Sequence, residues 1–296
     1  MFSRRHPYLF FILIFSTVVA TAMVLITFLF TFGTRDSDFE FGEKVGVIEI
    51  NGIIAESKYV LNQLKRFRED NSIKAIVVRI NSPGGAVGPS QEIYREIRRT
   101  SAIKKVVASM GTIATSGGYY IAAGANGIVA NPGTITGSIG VIMGFTNYQD
   151  LLHKIGLAPI VVKSGKYKDI GSPVRKMKPE EKKILKDFAR KIHEQFINDV
   201  IAGRKMDRKK VESLADGRIF TGQESKEFGL IDRLGNLEDA IDWAGRLGGI
   251  KGKISTVYAK EKKFSILKYL TDSSAQELFK QLLASKLSAD YIYRPD

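Results

Sequence analysis

The chain has 296 residues, 44% of them hydrophobic, enough for one large folded domain or two small ones together with an anchor. It contains no cysteine, which excludes disulfides, thiol catalysis and zinc sites of the Cys type. Its formal net charge is +14, but the basic residues are spread over amphipathic helices with no stripe interleaved with stacking aromatics. That sets a nucleic-acid reading aside and fits a surface close to anionic lipid.

From Pro7 to Thr34 no residue is charged, and Tyr8 to Phe32 is almost wholly apolar. As a helix that length crosses ~30 Å of hydrocarbon. Arg4, Arg5 and His6 precede it, while Asp36, Asp38, Glu40 and Glu43 follow. The positive flank is expected to stay in the cytoplasm, with everything after Gly33 on the far side. Ala20-Thr21-Ala22 has the small-x-small pattern of a signal-peptide cleavage site. The apolar run continues past it through Met23-Val24-Leu25-Ile26 to Phe32, which favours a retained anchor.

Beyond the anchor, strand and helix patterns alternate. Lys44–Ile50 is a β-branched run closed by the turn signal Asn51-Gly52. Val60, Leu61, Leu64 and Phe67 give Ser57–Arg68 a helical spacing. Lys74–Ile80 predicts a buried strand ending at Asn81-Ser82-Pro83-Gly84-Gly85, followed by a helix over Gln91–Thr100 and a strand over Lys105–Ser109. Ile139–Met143 and Ile160–Lys163 predict further strands, separated by a helix near Tyr148–Ile155. A long helix starts at Pro179 and runs to about Arg204, with Ile184, Leu185, Phe188, Ile192, Phe196 and Val200 in one stripe. A short helix ends near Leu214, and a second α/β stretch covers Ile219 to Leu247. Leu267–Leu287 is amphipathic and Ser288–Asp296 is a short polar tail. Strands hydrophobic along almost their whole length, joined by helices, predict a mainly parallel sheet covered on both faces.

The segment Ser109 to Tyr120 is glycine-rich, follows a strand and opens a helix, so Ser116 falls where free backbone N–H groups can stabilise an oxyanion. Position alone favours a plain N-cap. Gly84 and Gly85 end the neighbouring strand and allow close backbone approach to a ligand. Of three histidines, His6 precedes the anchor and His153 and His193 fall in helices; position 114 is Ala, so no G-x-S-x-G elbow surrounds Ser116. A Ser-His-Asp triad therefore lacks support, and lysine remains as the base. A lysine base must be neutral, a shift from ~10.4 toward ~7–8 that costs about 3–5 kcal/mol. Composition alone does not choose between Lys166 and Lys168. No P-loop is present, and His193-Glu194 lacks the second histidine of a zinc-protease motif.

The stretches VGVIEINGII, RINSPGG, SMGTIATSGGYYIAAGAN, TGSIGVIM, VVKSGKYKDIGSP and ADGRIFTGQESKEFGLID, in this order from Lys44 to Gly249, resemble the SppA family of signal peptide peptidases. The resemblance implies an α/β, Clp/crotonase-like fold: a mainly parallel sheet with flanking helices, preceded by one transmembrane helix. It implies Ser116 as nucleophile, Lys168 as general base, Ser138 as the hydroxyl that holds the lysine, and the N–H groups of Gly85 and Gly117 as the oxyanion hole. It implies no metal or organic cofactor. A single copy of the domain resembles the short form, which assembles as an octameric ring with serine and lysine from neighbouring subunits. The expected organisation is a cytoplasmic N-terminus (1–7), transmembrane anchor (8–32), linker (33–43), protease domain (44–258) and C-terminal helical extension and tail (259–296).

The expected activity is that of a serine endopeptidase degrading remnant signal peptides and short hydrophobic peptides. The expected location is the cytoplasmic or inner membrane, single-pass, with the catalytic domain periplasmic or extracytoplasmic. The expected partners are hydrophobic peptides, further copies of the chain and the lipid bilayer. Two alternatives keep the fold: a protease specific for a membrane-protein partner, like the stomatin-operon peptidases, and a non-catalytic oligomeric scaffold. An acyl-CoA enzyme of the crotonase type fits the anchor and the Ser/Lys pair poorly.

Overall fold

The computed structural model describes residues 6–32, 42–259 and 290–292. The chain divides into two units, residues 1–41 and 42–296. In the first, α1 (Pro7–Phe32) is a 26-residue helix with no acidic residue in its first turn and no basic residue in its last. At 1.5 Å per residue it is about 39 Å long, more than the hydrocarbon thickness of a bilayer. Over Pro7–Thr27 its mean hydropathy is 2.7. The hydroxyls of Ser16, Thr17, Thr21 and Thr27 donate to carbonyls one turn back, so each finds a partner within the helix itself.

The second unit begins with β1 (Lys44–Asn51), α2 (Lys58–Glu69), β2 (Ile73–Ser82), β3 (Gly84–Ala86) and α3 (Val87–Ser101). Then come β4 (Lys105–Thr115), α4 (Gly117–Ala123), β5 (Gly127–Ala130), β6 (Ile135–Gly137) and α5 (Gln149–Lys154). The remainder is α6 (Pro179–Arg204), α7 (Arg208–Leu214), β7 (Ile219–Thr221), α8 (Gly222–Phe228), β8 (Arg233–Leu234), α9 (Leu237–Leu247), β9 (Ser255–Tyr258) and β10 (Asp290–Ile292).

The main sheet runs β7-β6-β4-β2-β1-β9, with β5 beside the first half of β4 and β8 beside β5. Every pairing in it is parallel except β6 with β7. The unbroken apolar runs follow from burial on both faces. Val45, Val47, Ala75, Val77, Val107 and Val129 pack under Ala240, Ile241 and Ala244 of α9. Their alternates Ile48, Ile50, Ile76, Val78 and Ile80 join Leu64, Phe67, Ile93, Ile97, Phe196 and Val200 from α2, α3 and α6. Each fully buried side chain of this size contributes about 1.5–3 kcal/mol.

Three findings depart from the sequence pattern. β4 continues to Thr115 because it changes neighbours, pairing with β5 over 107–109 and with β6 over 113–115. The strands expected at Ile139–Met143 and Ile160–Lys163 do not form. Ile160 is 91% and Val162 96% exposed, so in one chain nothing covers these side chains. The stripe on α6 is likewise only half used: Ile192, Phe196 and Val200 are buried, whereas Ile184 and Phe188 are exposed. The amphipathic stretch 267–287 lies outside the described residues. Beyond it, β10 pairs antiparallel with β3, placing Tyr291 opposite Gly85.

Candidate active site

Ser116 is the single residue between β4 and α4, and the chain must turn there from strand into helix. It does so with φ +53° and ψ −115°, a backbone conformation rarely taken by a residue with a Cβ. Both sides of the turn are tied. Its N–H donates to Gly137 O at 2.8 Å, and its carbonyl accepts from Tyr120 N at 2.8 Å. Upstream, Thr115 Oγ1 donates to Pro83 O (3.1 Å) and Thr136 Oγ1 to Ala114 O (2.7 Å). Ser116 occupies the N-cap position, yet its side chain makes no capping hydrogen bond. The residue is 1% exposed. The result is a strained strand-to-helix elbow without the glycine pattern that usually announces one.

The helix carrying this turn is fixed from behind. All seven residues of α4 are buried. Tyr119 donates to Leu230 O at 3.1 Å, and Tyr120 donates to the carboxylate of Asp199 on α6. The Tyr120 ring meets Phe196 edge-on at 4.7 Å and Tyr94 at 5.1 Å. Burial pushes the Tyr94 phenol up to about 12 and raises that of Tyr119 as well. These phenols stay protonated donors at neutral pH, which suits them to packing and not to proton abstraction.

The other anticipated residues divide into two groups. Ser138 follows β6, whose Gly137 is the register partner of Thr115, so Ser116 and Ser138 stand at adjoining strand ends. Ser138 also has positive φ, +52°, and its N–H donates to Arg218 O at 2.8 Å. Gly117 opens α4, where an N–H has no partner within the helix. Gly85 lies on β3, beyond the Ser82–Pro83 turn that Thr115 grips. Serine, glycines and Ser138 thus gather at the carboxyl ends of β2, β4 and β6, the end where parallel sheets bind ligands. Lys168 is not among them. It is exposed, in a run of turns where its N–H donates to Gly165 O at 3.2 Å. Among the described residues no hydrogen bond joins it, or any histidine, to Ser116.

Gly85 is held by main chain. Ile54 N donates to Gly84 O (2.9 Å) and Ala86 N to Ile54 O (2.8 Å), leaving the N–H and C=O of Gly85 on the opposite edge. A Cβ at this position would lie 2.3 Å from Ile54 O and 2.6 Å from Ile54 N, and main-chain atoms cannot step aside. Gly85→Ala is therefore expected to destabilise the unit by about 2 kcal/mol, seen as a lower midpoint in denaturant unfolding.

A cluster that sequence pattern did not reveal surrounds the Lys168 turn. Arg175 donates from Nη1 and Nη2 to Glu181 Oε2 and Oε1 at 2.8 and 2.5 Å, and from Nε to Asp169 Oδ2 at 2.7 Å. Hydrogen bonds from Arg175, with further help from Lys178 N, hold Glu181 down at about 2. Bonds from Arg175 and then Lys163 hold Asp169 well below the usual carboxylate range. Both folded values are depressed, so this stabilisation is complete above the ordinary carboxylate values and lost as pH falls through about 2. The melting temperature is expected to be level from pH 7 to 5 and to fall below pH 4. Glu181→Gln should lose part of that acid dependence. The only sequence cue was Glu at the third position of a helix opening with Pro179.

Two family profiles match the chain: Peptidase family S49 over residues 98–251 and Clp protease over residues 44–135. It is 50% identical over 210 residues to "Putative protease slr0021" of Synechocystis sp., across 70% of this chain and 76% of that protein. It is 38% identical over 214 residues to "Putative signal peptide peptidase SppA" of Enterococcus faecium, across 68% of this chain and 62% of that one. A solved mutant of the 1510-N membrane-bound stomatin-specific protease shares the fold with a TM-score of 0.50 at 18% identity. That likeness covers 75% of this chain and 99% of the other. The chain belongs to peptidase family S49 and is a serine-type endopeptidase with a Clp-like fold.

Proposed function

We propose that the protein is a membrane-anchored endopeptidase with a Ser116/Lys168 dyad, degrading remnant signal peptides and other short hydrophobic peptides. The observation that carries the reading is Ser116 itself: a serine held at φ +53° between strand and helix, its side chain engaged in no cap. Lys168 takes the proton of Ser116 Oγ, which attacks the scissile carbonyl carbon. The N–H groups of Gly85 and Gly117 receive the oxyanion, each donor of this kind being worth about 2.7–4 kcal/mol. Lys168 then returns the proton to the leaving amine, and water deprotonated by the neutral Lys168 side chain releases the acyl group. Ser138 holds the lysine in place.

The family resemblance implies a homo-octameric ring in which neighbouring copies complete the dyad, and the exposure of Lys168 beside a buried Ser116 in one chain supports that reading. The uncovered apolar residues Leu157, Ile160 and Val162, close in sequence to Lys168, and Ile184 and Phe188 on α6 support such a contact. The pairing of β10 with β3 supports an extended peptide taking the place of β10 as a strand there. Helix α1 anchors the protein in the cytoplasmic or inner membrane, with its N-terminus inside and residues 44–258 periplasmic or extracytoplasmic. A reporter fused after Asp296 that works only in the cytoplasm would overturn that orientation.

The test of the activity uses the full chain in detergent with a synthetic signal peptide, an unstructured protein and a serine-directed fluorophosphonate. Cleavage of the signal peptide with the label on Ser116 is the expected result. A label on any other residue overturns the assignment. Labelling of Ser116 without cleavage of either substrate turns the reading toward a protease with one dedicated membrane-protein partner.

A further inference from the structure

We propose that Arg175, paired with Glu181, is the positioning residue for Lys168, holding the main chain directly after the base against the first turn of α6. The inference rests on the dyad reading and extends it to residues outside the site.

The guanidinium has five N–H donors and all are used. Besides both Glu181 oxygens and Asp169 Oδ2, it donates from Nη1 to Lys176 O at 3.1 Å and from Nη2 to Asp169 O at 3.0 Å. The last bond is the informative one, because Asp169 O belongs to the peptide that follows Lys168 by one residue. Asp169 is gripped a second time through its carboxylate, by Arg175 and by Lys163 Nζ at 2.5 Å. The anchor at the other end is firm. Glu181 is 1% exposed, and its Oε2 also accepts from Lys178 N at 2.9 Å, closing the start of α6.

The same segment is pressed from its other side. Gly171 has φ +77°, and a Cβ there would lie 2.4 Å from the ring of Phe145. Tyr148 N donates to Pro173 O at 2.8 Å, and Asn147 Nδ2 donates to Arg175 O at 2.7 Å. Helix α6 in turn touches the serine helix through Phe196, Asp199 and Tyr120. A continuous set of contacts therefore ties the Lys168 turn, through Arg175, Glu181 and α6, to the buried core of its own copy, the frame from which the lysine reaches the neighbouring serine. An exposed, untethered turn would leave the amine of Lys168 wandering over several ångströms, and a misplacement of about 1 Å costs on the order of 100-fold in rate. Lysine at 175 would supply charge but not the planar fork.

The experiment measures kcat and KM on a cleavable peptide, and the rate at which a fluorophosphonate labels Ser116, in full-length protein in detergent. The variants are Arg175→Lys, Lys168→Ala and the double substitution. Arg175→Lys is expected to lower kcat and the labelling rate by roughly 10–100-fold with KM within about twofold, and to cause no further loss in the slow residual labelling of Ser116 that remains when Lys168 is alanine. Equal losses in both backgrounds, or no loss in either, overturn the proposal. Lys168→Ala with wild-type activity overturns the dyad reading itself. An inactive Lys168→Ala beside a fully active Arg175→Lys overturns the clamp alone. Oligomer size and melting temperature are measured alongside. Should Arg175→Lys not fold, Glu181→Gln keeps the side-chain shape, removes the charge and should show the same selective fall in kcat.

Discussion

Ser116→Ala is expected to reduce kcat on any cleavable peptide by roughly ten-thousand-fold or more while leaving KM within a few-fold. On the proposed mechanism the hydroxyl oxygen forms the acyl bond, so its removal would delete the covalent route and leave only the glycine amides and the bound-peptide geometry. Stability should barely change. The Ser116 N–H and carbonyl, not its hydroxyl, make the bonds to Gly137 and Tyr120 that hold the turn. Alanine at φ +53° carries the same Cβ as serine, so the backbone strain is present in both. A steady-state assay on peptide, paired with thermal unfolding, separates these expectations. An inactive variant that also melts many degrees lower would mean that the hydroxyl is structural.

The second large effect is a recovery of activity. Ser116→Ala and Lys168→Ala are each expected to be inactive alone, whereas copies co-assembled in equal amounts should regain activity. If each site takes its serine from one copy and its lysine from the next in a closed ring, about a quarter of the sites in a random mixture keep both groups. Specific activity should therefore return to about a quarter of the wild-type value. No recovery in oligomers shown to be mixed would mean that each copy carries its own complete site, and the exposure of Lys168 would need another explanation.

Elements whose neighbours are close in the chain, or whose faces are all covered, were legible from residue pattern. The runs KVGVIEI and KAIVVRI are strands buried on both faces, and Pro179 marks the start of α6. At Ile160 and Val162 the same apolar alternation occurs without a strand beside it, because pattern records what a residue would bury and not what covers it. Ser116 was marked by its glycine-rich surroundings, but the elbow was not, since Ala114 and Thr115 can reach the same turn when β6 ties the backbone from the side. The Arg175–Glu181–Asp169 cluster arises from separations of six residues along the chain, which match no regular period. The pairing of β10 with β3 joins residues about two hundred apart, and a short polar tail gives no sign of it.

That last pairing makes the peptide-binding edge a contested one. On the reading proposed above, an incoming peptide does not add to a vacant strand edge but exchanges with one that is covalently part of the enzyme. A tethered competitor acts at an effective concentration set by its connection and not by its amount in solution, and dilution cannot remove it. The enzyme is then selective by ranking: short peptides that pair weakly lose to the tail, and only those with enough apolar side chain to outbid it reach Ser116.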